Sequence, residues 1–238
     1  MAWLLKPGHC CLKHYSTEII MKRVLILGCC LLIFLSSCVK KTEVPVGEVK
    51  IRFVNALPNS LPQDVYVNNG KLDVAPVAAG QATPYLSLYS GQNYLAMANM
   101  GTNTPNGDII PYNAAIGSYA TFFYTQNLQG APATGLKEDD MTPPPSGKAR
   151  VRFIHLNSFL NNSIRLSAVG GGELFSALGF GNASPYYNVD PGTKFQVAAT
   201  LVVTAPVVDA NLQAGKIYTI FFNGTTSTEL YGNLLIQN

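Results

Sequence analysis

After residue 38 the chain has no cysteine, no tryptophan and a single histidine. Cys10, Cys11, Cys29, Cys30 and Cys38 all fall at or before that point, as do Trp3, His9 and His14. The downstream part therefore holds no disulfide and no thiol nucleophile. A histidine-based metal set is excluded as well, because His155 stands alone without clustered carboxylates. Charge is scarce, at 12% of residues. Lys6, Lys13, Lys22 and Arg23 of the sixteen basic residues and Glu18 of the thirteen acidic ones precede residue 39, so 39–238 carries twelve of each. That balance argues against a nucleic-acid partner, whatever the whole-chain isoelectric point near 8.5 suggests. No ten-residue stretch after Cys38 repeats its apolar residues at the helical period. No Gly-x-Ser-x-Gly elbow and no phosphate loop occur there either. No cofactor or metal is expected.

What is present begins with a targeting pattern. Met21-Lys22-Arg23 precedes the apolar run Val24–Leu35, which ends at Ser36-Ser37-Cys38. Twelve residues span about 18 Å as a helix, short of the ~30 Å core of a bilayer. The run therefore reads as a signal segment rather than a membrane span. Leu35-Ser36-Ser37-Cys38 resembles a bacterial lipobox, in which small residues admit a peptidase and the Cys38 thiol takes the lipid. Residues 1–37 are expected to be an upstream extension and signal peptide, with Met21 the working start. Residues 38–46 are then a lipidated tether to a membrane, placing the protein in the cell envelope, at the outer membrane.

The rest is organised by a repeat. Val49–Asn55 returns as Ala149–His155, and Gly80–Tyr85 as Gly181–Tyr186. Gly91 is matched by Gly192, and Tyr119–Phe123 by Tyr218–Phe222. The period is near 100 residues, the size of a domain. Domains are expected at 47–134 and 148–238. Between them, 135–147 reads as a Pro-rich acidic linker, with Glu138-Asp139-Asp140 solvated rather than a calcium corner.

Each copy reads as β. Ile51 and Phe53, like Val151 and Phe153, share a face, with Arg52 and Arg152 on the other. Further strands are expected at 64–67, 85–88, 94–97 and 119–124, and at 164–168, 186–189, 195–201, 217–222 and 230–236. Turn signals such as Asn68-Asn69-Gly70 and Asp190-Pro191-Gly192 separate them. The expected fold is all-β: two tandem Ig-like antiparallel sandwiches of about seven strands each. Asp64 is a candidate ion-pair partner for Arg52. His155 is expected to be a polar, loop-facing residue at a strand end. Tyr66, Tyr85, Tyr89, Tyr112, Tyr186 and Tyr187 are either half-buried sheet residues or a stacking platform, with Tyr186 and Tyr187 the candidate binding pair.

The opening from Val49 to Leu72 resembles the family called domain of unknown function 4397. An Arg-Phe-Val-Asn strand, a Pro/Ser/Asn loop and Asp64-Val65-Tyr66-Val67 carry the likeness, with Gly80–Tyr85, Gly181–Tyr186 and Pro191-Gly192. The resemblance covers nearly all of 47–238 as two copies, and implies a secreted or lipid-anchored Ig-like protein of Bacteroidetes-type envelopes. It implies no activity. In the second copy Ser163–Leu166 replaces Asp64–Val67. The leading functional expectation is a non-catalytic adhesion or binding module for a glycan or an envelope protein. The alternatives are an accessory or scaffold subunit of an outer-membrane uptake or pilus-like complex, and an enzyme.

Overall fold

The computed structural model describes residues 45–202 and 206–238. Residues 1–37 and Cys38 lie outside the described residues, as does most of the 38–46 tether. Residues 46–238 form one compact unit. Its first half is β1 (Glu48–Asn55), β2 (Gln63–Val67), β3 (Gly70–Lys71), β4 (Leu86–Tyr89), β5 (Gly91–Asn99), β6 (Ile110–Ala114), β7 (Tyr119–Gln126) and β8 (Pro132–Asp139). The second half is β9 (Ala149–His155), β10 (Ile164–Ala168), β11 (Glu173–Leu178), β12 (Tyr187–Val189), β13 (Phe195–Ala198), β14 (Val207–Val208), β15 (Ile217–Asn223) and β16 (Tyr231–Ile236).

The strands build two sandwiches of the same topology. Sheet order β4-β1-β7-β8 faces β3-β2-β5-β6 in the first; β12-β9-β15-β16 faces β11-β10-β13-β14 in the second. The all-β, two-sandwich expectation holds. Each sandwich has its own core, around Ile51, Phe53, Leu95 and Phe122 in one and Phe153, Leu166, Phe195 and Phe222 in the other. One pair in each runs parallel rather than antiparallel: β1 with β7 and β9 with β15. Parallel pairs favour burial on both faces, and these strands are buried on both.

The second face explains the architecture. Val54, Ala56, Phe123, Ile154, Leu156, Phe221 and Leu235 form a third apolar cluster between the sandwiches. Phe123 and Phe221 meet edge to face at 5.9 Å. The two sandwiches thus pack as four layers through the outer faces of the β1 and β9 sheets. Contacts pair like ends of the strands. Gln126 reaches Ser158 at 2.7 Å and Asn223 reaches the Ala56 carbonyl at 2.9 Å at the strand ends, while Arg52 and Arg152 cross the interface nearer the strand starts. The second sandwich lies beside the first, not beyond it.

Three expectations need correction. The linker begins later than residue 135, because Pro132–Asp139 is strand β8, fully paired with β7. Asp139 is not solvated; its carboxylate is buried against Arg152. A run of acidic letters looks solvated in sequence, but alternation along β8 turns Asp139 inward and Asp140 outward. Finally, the repeat is offset by 98 in its last block. Arg52 lies opposite Thr121 and Arg152 opposite Thr219, so Phe123 corresponds to Phe221, not Phe222. A one-residue slip exchanges the two faces of a strand, and Phe222 faces its own core.

Candidate functional site

The outer face of the β2–β5 sheet carries a slot-shaped recess. Tyr66 on β2 pairs in register with Ala96 on β5, and Tyr94 stands two residues before Ala96 on the same face. Small Ala96 is the floor and the two phenol rings flank it. Asn69, Asn103, Pro105 and Ile109 complete a slot of about 200 Å³. Tyr94 is 49% exposed, a large value for an aromatic residue inside a sheet.

Local sequence builds this slot. Asn68 and Asn69 both take positive φ, 51° and 65°, which a tight two-residue hairpin of this hand requires and asparagine tolerates. The turn presents Asn69, while Asn68 Oδ1 accepts from the Tyr94 amide at 2.9 Å. The β5–β6 loop forms the other wall and is pinned at several points. Tyr66 Oη donates to the Thr102 carbonyl at 2.8 Å. Asn106 Nδ2 donates to Asn99 Oδ1 and to Tyr124 Oη, and its amide to the Met97 carbonyl. Beneath the loop, Asp64 Oδ2 accepts from the Gly101 amide at 2.9 Å and from Lys71 Nζ at 2.8 Å. The Lys71 ammonium holds Asp64 below the usual carboxylate range. A slot whose walls are already fixed loses little entropy on binding.

Asp64 therefore supports the slot and does not pair with Arg52. Arg52 instead crosses between the sandwiches, stacked on Tyr85 at 4.2 Å, with Nη1 donating to the Ile236 carbonyl at 2.9 Å. Its pseudo-symmetric mate Arg152 donates to Thr219 Oγ1 at 2.9 Å and pairs with Asp139. Asp139 also accepts from Thr121 at 2.6 Å, Tyr85 at 2.7 Å and Gln237 at 2.9 Å. Gln237 bonds back to β15 where Asp139 faces β7. The first copy thus supplies a carboxylate where the second supplies an amide.

The tyrosine pair expected to bind is not a platform. Tyr186 and Tyr187 are consecutive on one extended segment, so their rings face opposite ways. Tyr186 lies under Arg150 and Arg152 and donates to Gln237 Oε1 at 3.1 Å. Tyr187 packs on its own core and donates to the Leu174 carbonyl. Burial raises the phenol pKa of both. Tyr94, Asn69 and Asn103 were not singled out by sequence reasoning. The legible signal was an aromatic alternating with small Ala96 beside an Asn-Asn-Gly turn. At the matching strands of the second sandwich, Arg165, Ser167, Gln196 and Ala198 are paired, with no aromatic among them.

His155 is fully buried, not loop-facing. Nδ1 accepts from the Asn157 amide at 3.3 Å, which assigns the proton to Nε2, toward the Asn162 carbonyl at 3.2 Å. Asn55 does the same work in the first copy, donating to the Leu61 and Val77 carbonyls. Burial lowers the His155 pKa below its ordinary value. Below a pH of about 6.5 the unfolded chain binds a proton that the folded chain resists, so stability falls as pH drops. Thermal melts should show this slope between pH 7 and 5, and His155→Asn should flatten it.

Among the described residues no group of three or more His, Cys, Asp or Glu is placed to hold a metal ion, and no helix is long and apolar enough to cross a membrane. Residues 49–162 match the family described as Domain of unknown function (DUF4397). The DUF4397 match takes in the first sandwich, the segment after it, β9 and the loop that follows. No curated protein matches. Among solved structures, the chain is similar to CBMbc (family CBM26) from Eubacterium rectale Amy13K in complex with maltoheptaose. Identity is 13%, over 77% of this chain and 96% of that one, with a TM-score of 0.27. It is also similar to the Bacillus anthracis TIE protein, at 10% identity, over 77% of this chain and 34% of that one, with a TM-score of 0.23.

Proposed function

We propose that this is a lipid-anchored, non-catalytic envelope protein whose first sandwich binds a glycan in the Tyr66–Tyr94 slot. The observation that carries the reading is the slot itself: two phenol rings across a small floor, with amides at the rim and no charged lining. Aromatic faces stack on the apolar face of a sugar ring, while Asn69 and Asn103 can exchange hydrogen bonds with its hydroxyls. The second sandwich shares the sheet order of the first. Its lack of the aromatic pair leaves binding to the first.

The test uses the soluble 46–238 unit on a glycan array, followed by titration calorimetry. Tyr94→Ala should weaken binding at least tenfold, the usual cost of removing an aromatic anchor, with the melting temperature little changed. Unaltered affinity in Tyr94→Ala would remove the slot from the reading. For the anchor, Cys38→Ala should shift the protein from the membrane to the soluble fraction of cells.

A further inference from the structure

We propose that the pole formed by the strand starts lies flat on a lipid surface, with both sandwiches touching it. This rests on the reading of Cys38 as the anchor. Val46, Tyr89 and Ile116 are 69%, 79% and 56% exposed. They are neighbours: Val46 and Tyr89 line one shallow recess, and the Ile116 side chain lies over Gly47. All three sit where β1 begins, since Glu48 pairs with Tyr89 and the Glu48 carbonyl accepts from the Gly117 amide.

The chain leading back to Cys38 leaves the compact unit at this same patch. Eight Cα–Cα steps separate Cys38 from Val46, a reach of about 28 Å at full extension. Because the sandwiches lie side by side with their strand starts together, the pole also carries Lys148 and Lys216, just before β9 and β15. Three of its acidic side chains are matched by cations, Glu48 with Lys50, Asp140 with Arg150 and Asp190 with Lys148, while exposed Glu138 forms no ion pair among the described residues. Tyrosine, aliphatic and lysine side chains around a largely neutralised rim suit the head-group zone of a bilayer. The opposite pole exposes Leu61, Met100, Leu128 and Phe159. Apolar exposure alone does not choose between the poles. The tether does: β1 alone is about 26 Å long, so the far pole could meet the membrane only with the ~28 Å tether pulled almost fully straight, which chain entropy disfavours.

The chain suits a direct test. Cys38 is the only cysteine in 38–238, and that stretch has no tryptophan. A 38–238 chain contains the whole compact unit. It is coupled through Cys38 to a maleimide-bearing lipid in phosphatidylethanolamine and phosphatidylglycerol vesicles containing brominated acyl chains. Tyr89→Trp, or Ile116→Trp should the first not fold, is compared with Leu61→Trp at the other pole. Bromine should quench the first by half or more and the second by less than a tenth. Equal quenching, quenching of Leu61→Trp alone, or none would overturn the proposal. Chemical coupling replaces cellular acylation, so failure here is separate from failure of the Cys38→Ala fractionation.

Discussion

Asp139→Asn should lower the melting temperature of the 46–238 unit by about 10 °C. The side chain of Asp139 is fully buried, and that of Arg152 is 4% exposed. Removing the negative charge leaves the guanidinium without a counterion in a dry interface, a loss of about 3–5 kcal/mol. For a unit of this size each kcal/mol is worth roughly 2–4 °C. Asparagine keeps one oxygen: with it at the Oδ1 position, beside Arg152 and Gln237, the amide nitrogen replaces Oδ2 and Thr121 and Tyr85 lose their acceptor. The comparison is Asp140→Asn, one residue on. Its pair with Arg150 is half exposed, so the change should cost about 1 kcal/mol or less. The double variant Asp139→Leu/Arg152→Leu should recover much of the loss, because it removes both charges together. Differential scanning calorimetry on the four proteins decides the matter. Equal effects at 139 and 140 would mean the buried pair does not hold the sandwiches together.

Phe221→Ala should cost about 3–5 kcal/mol, the range for truncating a buried phenylalanine. Phe221 is fully buried, and it belongs to neither sandwich core but to the cluster between them. Its loss opens a cavity against Phe123, with Val54 and Ile154 alongside. The effect should therefore fall on the coupling of the two halves. Urea unfolding should change from one transition to two, or show a clearly reduced slope, as the sandwiches part before they unfold. Phe222→Ala, which empties the second core instead, should destabilise as much while leaving the halves coupled. A single unchanged transition in Phe221→Ala would show that the interface is not the cooperative link.

Much of the fold was legible from alternation alone. β1, β2, β9, β10 and β15 lie where Val, Ile, Phe and Tyr alternate or cluster between turn signals. Strands β3, β6, β8, β11 and β14 were not legible. β6 carries Pro111 and β8 opens on Pro132 and contains Gly135, residues that sheets tolerate mainly at edges. β14 is two residues long. The candidate site was half legible: Tyr66 stood out as a tyrosine on a strand, but Tyr94 gained meaning only beside Ala96 and the folded β5–β6 loop. Tyr186 and Tyr187 looked like a pair because they are adjacent in the chain, and adjacency on a strand is what separates two rings.

The sequence by itself determined an all-β chain, a repeat of about 100 residues, the absence of disulfides from the downstream part and the neutrality of that part. These follow from composition and from a period of two, which are properties of the chain before it folds. Only the tertiary structure decided where the outward-facing residues go. Arg52, Val54 and Phe123 stand on the strand face turned away from their own core, and a second sandwich covers them. The apolar letters at Val54 and Phe123 mark that face as covered, but a strand's own pattern does not say by what. Asp139 shows the same limit in one residue: an acidic letter in a Pro-rich stretch, made the centre of the interface by the strand it turned out to end.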